Sequence, residues 1–478
     1  MPKRQIVAPR TQPDAGADAG PLEQAFHAVR QELQLPTDYP EPAVAEAQRA
    51  VEAVRLPERD ETALPFFTID PPESKDLDQA MLLERAGEGY RVRYAIADVP
   101  AFVQPGGALD AETRRRGQTL YLPDLRIPLH PEVVSEGAAS LLPGEVRPAF
   151  VWDIALDARG EVTSAEVYRA QVRSQDRFDY DQVQQAIDGG SAPERVALLK
   201  EIGDKRIVLE RERGGASLPM PEQEITRDGD SYTLSFRPVL PSEDWNSQIS
   251  LLTGMVAAEM MLHAQIGILR TMPAADQEAL QRFHRQAAAL GVPWPAEQPY
   301  GEFLRTLDRS DPRHLALIHA ATTLFRGAGY TPFDGDVPDQ PEQAAVAAPY
   351  AHVTAPLRRL VDRFGLAICE ALSRDAEVPE WVKQALPTLP EIMQRTDQLA
   401  GKVERACADA TEAAVLSSHV GESVAASVVE KREKGVLLQL KDFAVVQECP
   451  GDAELGADVQ AVVVSADIAA RKVVLRLA

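Results

Sequence analysis

Thr68-Ile69-Asp70-Pro71-Pro72-Glu73-Ser74-Lys75-Asp76-Leu77-Asp78-Gln79-Ala80 sets three aspartates within nine residues, directly beside apolar runs that read as strands. Carboxylates crowded this closely repel one another unless something positive sits among them. The usual solution is a hard divalent cation such as Mg²⁺. A cation held there polarises a phosphate and orients a water. Two turn-prone prolines and a Ser/Lys pair separate Asp70 from Asp76 and Asp78, so the chain can fold all three together. Taken alone, the pattern reads equally well as a solvated acidic turn after a strand.

Other stretches decide between these readings. Tyr94-Ala95-Ile96-Ala97-Asp98-Val99 follows, then Arg115-Arg116-Gly117-Gln118-Thr119-Leu120-Tyr121-Leu122-Pro123 with Ile127-Pro128. Ser140-Leu141-Leu142-Pro143-Gly144-Glu145-Val146-Arg147-Pro148-Ala149 comes next. Far downstream lies Tyr350-Ala351-His352-Val353-Thr354-Ala355-Pro356-Leu357-Arg358-Arg359-Leu360-Val361-Asp362. In this order the five stretches resemble the motifs of the ribonuclease II/ribonuclease R (RNB-domain) exoribonuclease family. One position departs from it: the family's acidic motif ends Asp-x-Asp-Asp, and here the last position is Gln79. A glutamine carbonyl can coordinate a hard cation but adds no charge.

The resemblance implies a Mg²⁺-dependent hydrolysis of the terminal phosphodiester at an RNA 3′ end. Nucleoside 5′-monophosphates would be released without sequence preference. Asp70, Asp76, Asp78 and Gln79 match the metal positions, and Asp76, Asp78 and Arg358 the catalytic ones. Arg358 matches an arginine whose planar fork grips the scissile phosphate. Arg359 holds either a carboxylate or the neighbouring phosphate, and Pro356 is read as opening a helix beside the pair. Tyr121 matches the ring that stacks on the 3′-terminal base. A second stacking ring is expected at Tyr300 or Phe303, and Glu404 matches a glutamate that contacts the RNA end. His352 has no partner in the sequence that would make it a general base, so it reads as packing. The implied partner is single-stranded RNA with a free 3′ end, taken up by a monomer. Gln79, and Ala355 where the family has serine, keep a catalytically weakened RNA-binding protein as the alternative.

Composition sets outer limits. With 478 residues, two or three domains are expected, and 45% hydrophobic with 26% charged residues is an ordinary soluble balance. A net charge of −23 excludes indiscriminate coating of nucleic acid, although a local basic channel remains open to it. Basic residues cluster at Arg114–Arg116, at Arg358, Arg359 and Arg363, at Lys431, Arg432 and Lys434, and at Arg471 and Lys472. Cys369, Cys407 and Cys449 lack metal-ligand spacing and cannot all pair, which suits a reducing compartment. No signal-peptide pattern and no long apolar run is seen, so a cytoplasmic protein without a membrane span is expected.

Along the chain, residues 1–20 read as a disordered lead, and two short helical patterns follow around Leu22–Leu33 and Val44–Val54. The resemblance would place tandem cold-shock barrels here, but the residues before 65 are too few for them. Strand signals dominate from Leu64 to Val172, and Phe150–Leu156 is expected to pair with Val162–Val172 across Asp157-Ala158-Arg159-Gly160. Helices are expected at 179–187, 193–213, 243–270, 274–290, 312–325, 356–373 and 388–418. A hairpin at 223–237 interrupts them, turning at Arg227-Asp228-Gly229-Asp230. After His419, five short strands suggest an OB-type barrel. The expected fold is α+β: a small helical N-terminal region (1–60), an RNB-type catalytic domain with its sheet wrapped by helices (61–418), and a C-terminal OB-fold RNA-binding barrel (419–478).

Overall fold

The computed structural model describes residues 4–6, 20–218, 220, 222–228, 231–237, 239–295 and 297–478. Most of the expected lead at 1–20, and Gly229 and Asp230 of the expected turn, lie outside them. The fold is α+β. Its centre is a closed barrel of five strands, Phe66–Ile69, Gln79–Ala86, Gly89–Ala97, Val146–Leu156 and Val162–Phe178. Neighbours are antiparallel except at the closure, where Phe66–Ile69 runs parallel to the end of Val162–Phe178, with Ile69 opposite Phe178. The turn at 157–160 joins the long pair as expected, with Leu156 opposite Val162.

Both faces of this sheet are covered, which explains why its strands lack a clean polar alternation. One face carries Phe67, Met81, Tyr94, Phe150 and Trp152, packed in a single core with the helices Glu194–Arg213, Pro241–His263 and Leu360–Ser373. The other carries small residues, Ala80, Ala95, Ala97, Ala149 and Ala170, against Leu77, Phe102, Leu109, Leu141 and Leu357. The alanines on this second face, set among Phe66, Leu82, Val151 and Val172, let elements from distant parts of the chain pack closely against it. The acidic stretch lies on that rim, between the end of one barrel strand at Ile69 and the start of the next at Gln79.

Two expected helices are shorter than the apolar pattern implies. The segment 243–270 is helical only to His263; Gln265 then takes a positive φ of 57°, and Ile266–Thr271 is a strand paired with Gly329–Asp334. Its Ile-Gly-Ile-Leu run continues the apolar composition of the helix, so the change of period is concealed. The helix expected from 356 begins at Leu360, after a turn at residues 356–358.

After the long helix Leu389–Ser417 come five strands, Ser423–Arg432, Gly435–Leu440, Val446–Cys449, Asp458–Asp467 and Lys472–Leu477. Val446–Cys449 and Lys472–Leu477 form the sheet's two edges and lie against each other, making a nearly closed barrel. Glu412 on the long helix is fully buried and accepts hydrogen bonds from the side-chain amides of Gln223 (2.9 Å) and Gln447 (2.6 Å). One carboxylate thereby ties the hairpin at 222–237, the helix and the C-terminal barrel together. No helix among the described residues is long and apolar enough to cross a membrane.

Gly254 marks the tightest approach of helix Pro241–His263 to the arginine stretch. A Cβ there would strike the Tyr350 ring and the Ala351 carbonyl, and Ala351 N–H already donates to the Gly254 carbonyl at 3.0 Å. Gly254→Ala is expected to cost about 1–3 kcal/mol in urea unfolding, since neither neighbour can give way without moving the stretch that follows.

Candidate active site

The acidic loop is shaped by groups outside its own sequence. Asp70 N–H donates to Phe178 O at 3.1 Å, holding the loop's start to the barrel closure. One guanidinium nitrogen of Arg177 reaches the carbonyls of Pro71 (3.0 Å), Pro72 (2.7 Å) and Ser74 (2.7 Å). Ser140 Oγ donates to Lys75 O at 2.6 Å and accepts from Leu77 N–H at 2.9 Å, while the Leu77 side chain is fully buried as an anchor. Asp76 is paired with Arg126, whose other nitrogen pairs with Glu136.

Asp78 is where the two distant motifs meet. Its carboxylate is 5% exposed; Oδ1 accepts the Leu357 N–H at 2.7 Å, and Oδ2 lies 3.6 Å from Arg358 Nε. Next to it, the Gln79 side chain donates through Nε2 to Thr354 O (2.7 Å) and accepts through Oε1 from the Tyr94 hydroxyl (2.6 Å). Only the nitrogen of the amide can donate to a carbonyl, so the oxygen is the end turned to Tyr94. The arginine stretch is pinned from its other side as well. Thr119 N–H donates to Arg358 O (3.0 Å), Leu360 N–H to Gly117 O (2.9 Å), and buried His130 lies 3.2 Å from Leu357 O.

The two arginines differ in role. Arg359 is committed: its fork makes two 2.9 Å hydrogen bonds to Asp362, whose Oδ1 also accepts the Ala355 N–H at 2.7 Å. Its pKa is held above the ordinary arginine value despite burial, chiefly by Asp362. Arg358 has 46% of its side chain exposed, and its Nε lies 3.6 Å from Asp78 Oδ2. Most of the remaining clustered cations are matched by acids: Arg114 by Asp110, Arg115 and Arg116 by Glu112, Arg363 by Asp110, Lys431 by Asp452, Arg432 by Glu448 and Arg471 by Glu32.

Tyr121 stands at the edge of the same site. It lies opposite Arg126 in the short hairpin Leu120–Tyr121/Arg126–Ile127. Burial raises its hydroxyl pKa, Asp76 raises it further, and Arg358 opposes them. Glu404 is half-buried on the long helix, beside Val403, which packs with Leu120 and Leu122 of that hairpin. Tyr300 and Phe303 belong to a separate core. Phe303 is 1% exposed, its ring stacked on Trp294 at 4.7 Å with Phe283 at its edge, so neither face is open to a base. Tyr300 is half-buried against Phe325. His352 is half-buried and bonded to the Tyr330 hydroxyl (2.8 Å), and desolvation holds its pKa well below the ordinary value. Arg126, Arg177 and Tyr180 also belong to the site but carry no motif of their own, whereas Tyr94 opens one of the motif stretches without having been singled out. Only the proximity of Arg126 to Ile127-Pro128 could have flagged it.

Burial is the main cause of raised pKa values in all three aspartates. Asp70 is pushed up to about 7, with Asp76 adding and Arg358 opposing; Asp76 and Asp78 are raised with Arg126 and Arg358 opposing, respectively. Such a set is short of positive charge and offers only oxygen donors, which fits a hard divalent cation in kind. Among the described residues, no three His, Cys, Asp or Glu side chains are gathered into a preformed metal cage. In metal-free protein, a carboxyl whose folded pKa exceeds its unfolded value stabilises the fold in its protonated form. That contribution is therefore lost as the pH climbs from 3.8 to about 7 for Asp70. Urea unfolding in EDTA is expected to show stability falling over this window by at most about 1.4 kcal/mol per pH unit for each such group. Asp70→Asn should flatten the fall, and Mg²⁺ at neutral pH should reverse it.

Comparison with known proteins bears on the family and the fold. The RNB domain profile matches residues 58–370, and that of the RNase II-type exonuclease C-terminal S1 domain matches residues 422–478. Ribonuclease R of Escherichia coli is 29% identical over 318 residues, covering 63% of this chain and 38% of that protein. The structure of Mycoplasma genitalium RNase R in complex with ribose methylated single-stranded RNA superposes with a TM-score of 0.85. It is 20% identical and covers 96% of this chain and 78% of that one. Yeast Ssd1, a pseudonuclease, superposes with a TM-score of 0.70 at 15% identity, covering 90% of this chain and 56% of that one. The chain spans about half the length of the curated relatives it matches. The chain belongs to the RNB-domain family, that of ribonuclease II and ribonuclease R.

Proposed function

We propose that this protein is a Mg²⁺-dependent 3′-to-5′ exoribonuclease that shortens single-stranded RNA and releases nucleoside 5′-monophosphates. The observation that carries the reading is the meeting of Asp78 with Leu357 N–H and Arg358, two motifs 280 residues apart closing on one carboxylate. Asp70, Asp76 and Asp78, with the Gln79 amide oxygen, would hold the Mg²⁺. When bound, the ion supplies Lewis acidity to the scissile phosphate and activates water.

The chain's own groups do the rest. Arg358, half-exposed and loosely held, turns its fork to the non-bridging phosphate oxygens, where charge grows as water adds to phosphorus. The bond from phosphorus to the 3′ oxygen of the preceding nucleotide breaks, that oxygen takes a proton, and the phosphate leaves with the terminal nucleoside. Tyr121 stacks on the terminal base, and of the two candidates for a second ring, Tyr300 is the partly open one. Phosphate grips and ring stacking read no base identity, which supports sequence-independent degradation. On this reading residues 61–418 are the catalytic unit and 419–478 a barrel that holds RNA.

A second reading, an RNA-binding protein with a silenced nuclease fold, is favoured by one observation: the Gln79 amide, at a metal position of the family, is engaged at both ends by Tyr94 and Thr354. A 5′-labelled oligo-RNA digest separates the two. The expected result is a ladder of 3′-shortened products, abolished by EDTA and lowered by Asp78→Asn on the order of a hundredfold or more. Arg358→Lys should lose much of the rate as well, because a point charge cannot replace a planar fork. RNA that is bound tightly but stays uncut at saturating Mg²⁺ would establish the second reading.

A further inference from the structure

We propose that the helix Pro21–Glu32 is a brace that positions the Tyr121/Arg126 hairpin, with Arg30 as its positioning residue. The hairpin has only two residues in each strand and is closed by Leu122 N–H donating to Leu125 O at 2.9 Å. A ladder that short cannot hold its own conformation. Its apolar side, Leu120, Leu122 and Ile127, is buried in one cluster with Phe26 and Val29, each fully buried on the helix. In the turn, the Asp124 side chain is 1% exposed, and Arg30 Nη1 bonds its Oδ2 at 2.6 Å. Among the described residues its other oxygen, also buried, has no hydrogen-bond partner. A buried carboxylate with a single counter-ion fixes the place of whatever carries that cation.

The chain after the helix takes hold of the same segment again. The Tyr39 hydroxyl donates to Pro128 O at 3.0 Å, and Arg116, stacked over the Tyr39 ring, donates to Asp38 O at 2.7 Å. The composition opposes the other role open to such a region, nucleic-acid binding. Residues 20–54 hold six carboxylates (Glu23, Glu32, Asp38, Glu41, Glu46 and Glu52) against two arginines (Arg30 and Arg49), a net charge of −4 that repels phosphate. The helix instead sets the position of a ring and a cation at the acidic loop, and the proposal rests on the reading of Tyr121 as a base-stacking residue.

The test compares the full chain with its Arg30→Ala, Arg30→Lys and Tyr121→Ala variants in EDTA, so that RNA stays intact. Amide hydrogen exchange over residues 119–129 is expected to rise by about tenfold or more in Arg30→Ala, with residues 79–97 unchanged and Arg30→Lys partly restored. RNA carrying 2-aminopurine at its 3′ end should lose its quenching in Arg30→Ala as it does in Tyr121→Ala. The affinity for 5′-labelled RNA should stay within about twofold, so that in Mg²⁺ the loss falls on kcat rather than KM. Unchanged exchange at 119–129 in Arg30→Ala overturns the brace. So does a loss of RNA affinity of about tenfold with exchange unchanged, which would make the helix an RNA contact. If Tyr121→Ala leaves the quenching intact, the stacking reading fails by itself, and the exchange result still decides the brace.

Discussion

The architecture of the site depends on one buried carboxylate. Asp78 lies where solvent is nearly excluded, and burial alone would drive it to its neutral form. The Leu357 N–H and the Arg358 guanidinium oppose that pressure. A buried acid of this kind constrains its surroundings, since any movement that withdraws its donors leaves an uncompensated charge in a low-dielectric interior. The arginine stretch is therefore held to the barrel rim by the group it serves. Further contacts, from Gln79 to Thr354 and from Thr119 and Leu360 to the backbone, keep it there.

Around that point the barrel works as a frame. An alanine-rich face and a ring-rich face allow separate parts of the chain to close on opposite sides of the same sheet. The rim between Ile69 and Gln79 is then the place where the chain is free to carry unfavourable chemistry. Arg177 and Arg126 hold this stretch from two directions, one through backbone carbonyls and one through Asp76. The loop's geometry is thus set largely by residues that its motif does not include. The departure at Gln79 follows the same logic, since an amide donates to the Thr354 carbonyl where a carboxylate would repel it.

Much of this was legible in the sequence because it is local. The spacing of Asp70, Asp76 and Asp78, the Pro-Leu-Arg-Arg run, the turn at 157–160 and the five late strands are short-range patterns. What was not legible depends on contacts between distant residues or on a change of period inside an apolar run. The strand Ile266–Thr271 is concealed because its residues extend the helix's composition, and only the positive φ of Gln265 and the partner strand Gly329–Asp334 reveal it. Pro356 resembles a helix opener, yet the turn through residues 356–358 delays the helix so that Leu357 can turn its N–H to Asp78. No pattern in the sequence distinguishes an enclosed ring such as Phe303 from an open one, because enclosure depends on Trp294 and Phe283 in three dimensions. Nor does it separate Arg359, locked to Asp362, from its neighbour Arg358.

Glu412 has a mechanical consequence. Its buried carboxylate accepts from an amide of the 222–237 hairpin and from one of the C-terminal barrel, so moving either unit off the long helix breaks a hydrogen bond made away from water. A hinge among the hairpin, the long helix and the late barrel is thereby disfavoured, and the three move as one piece.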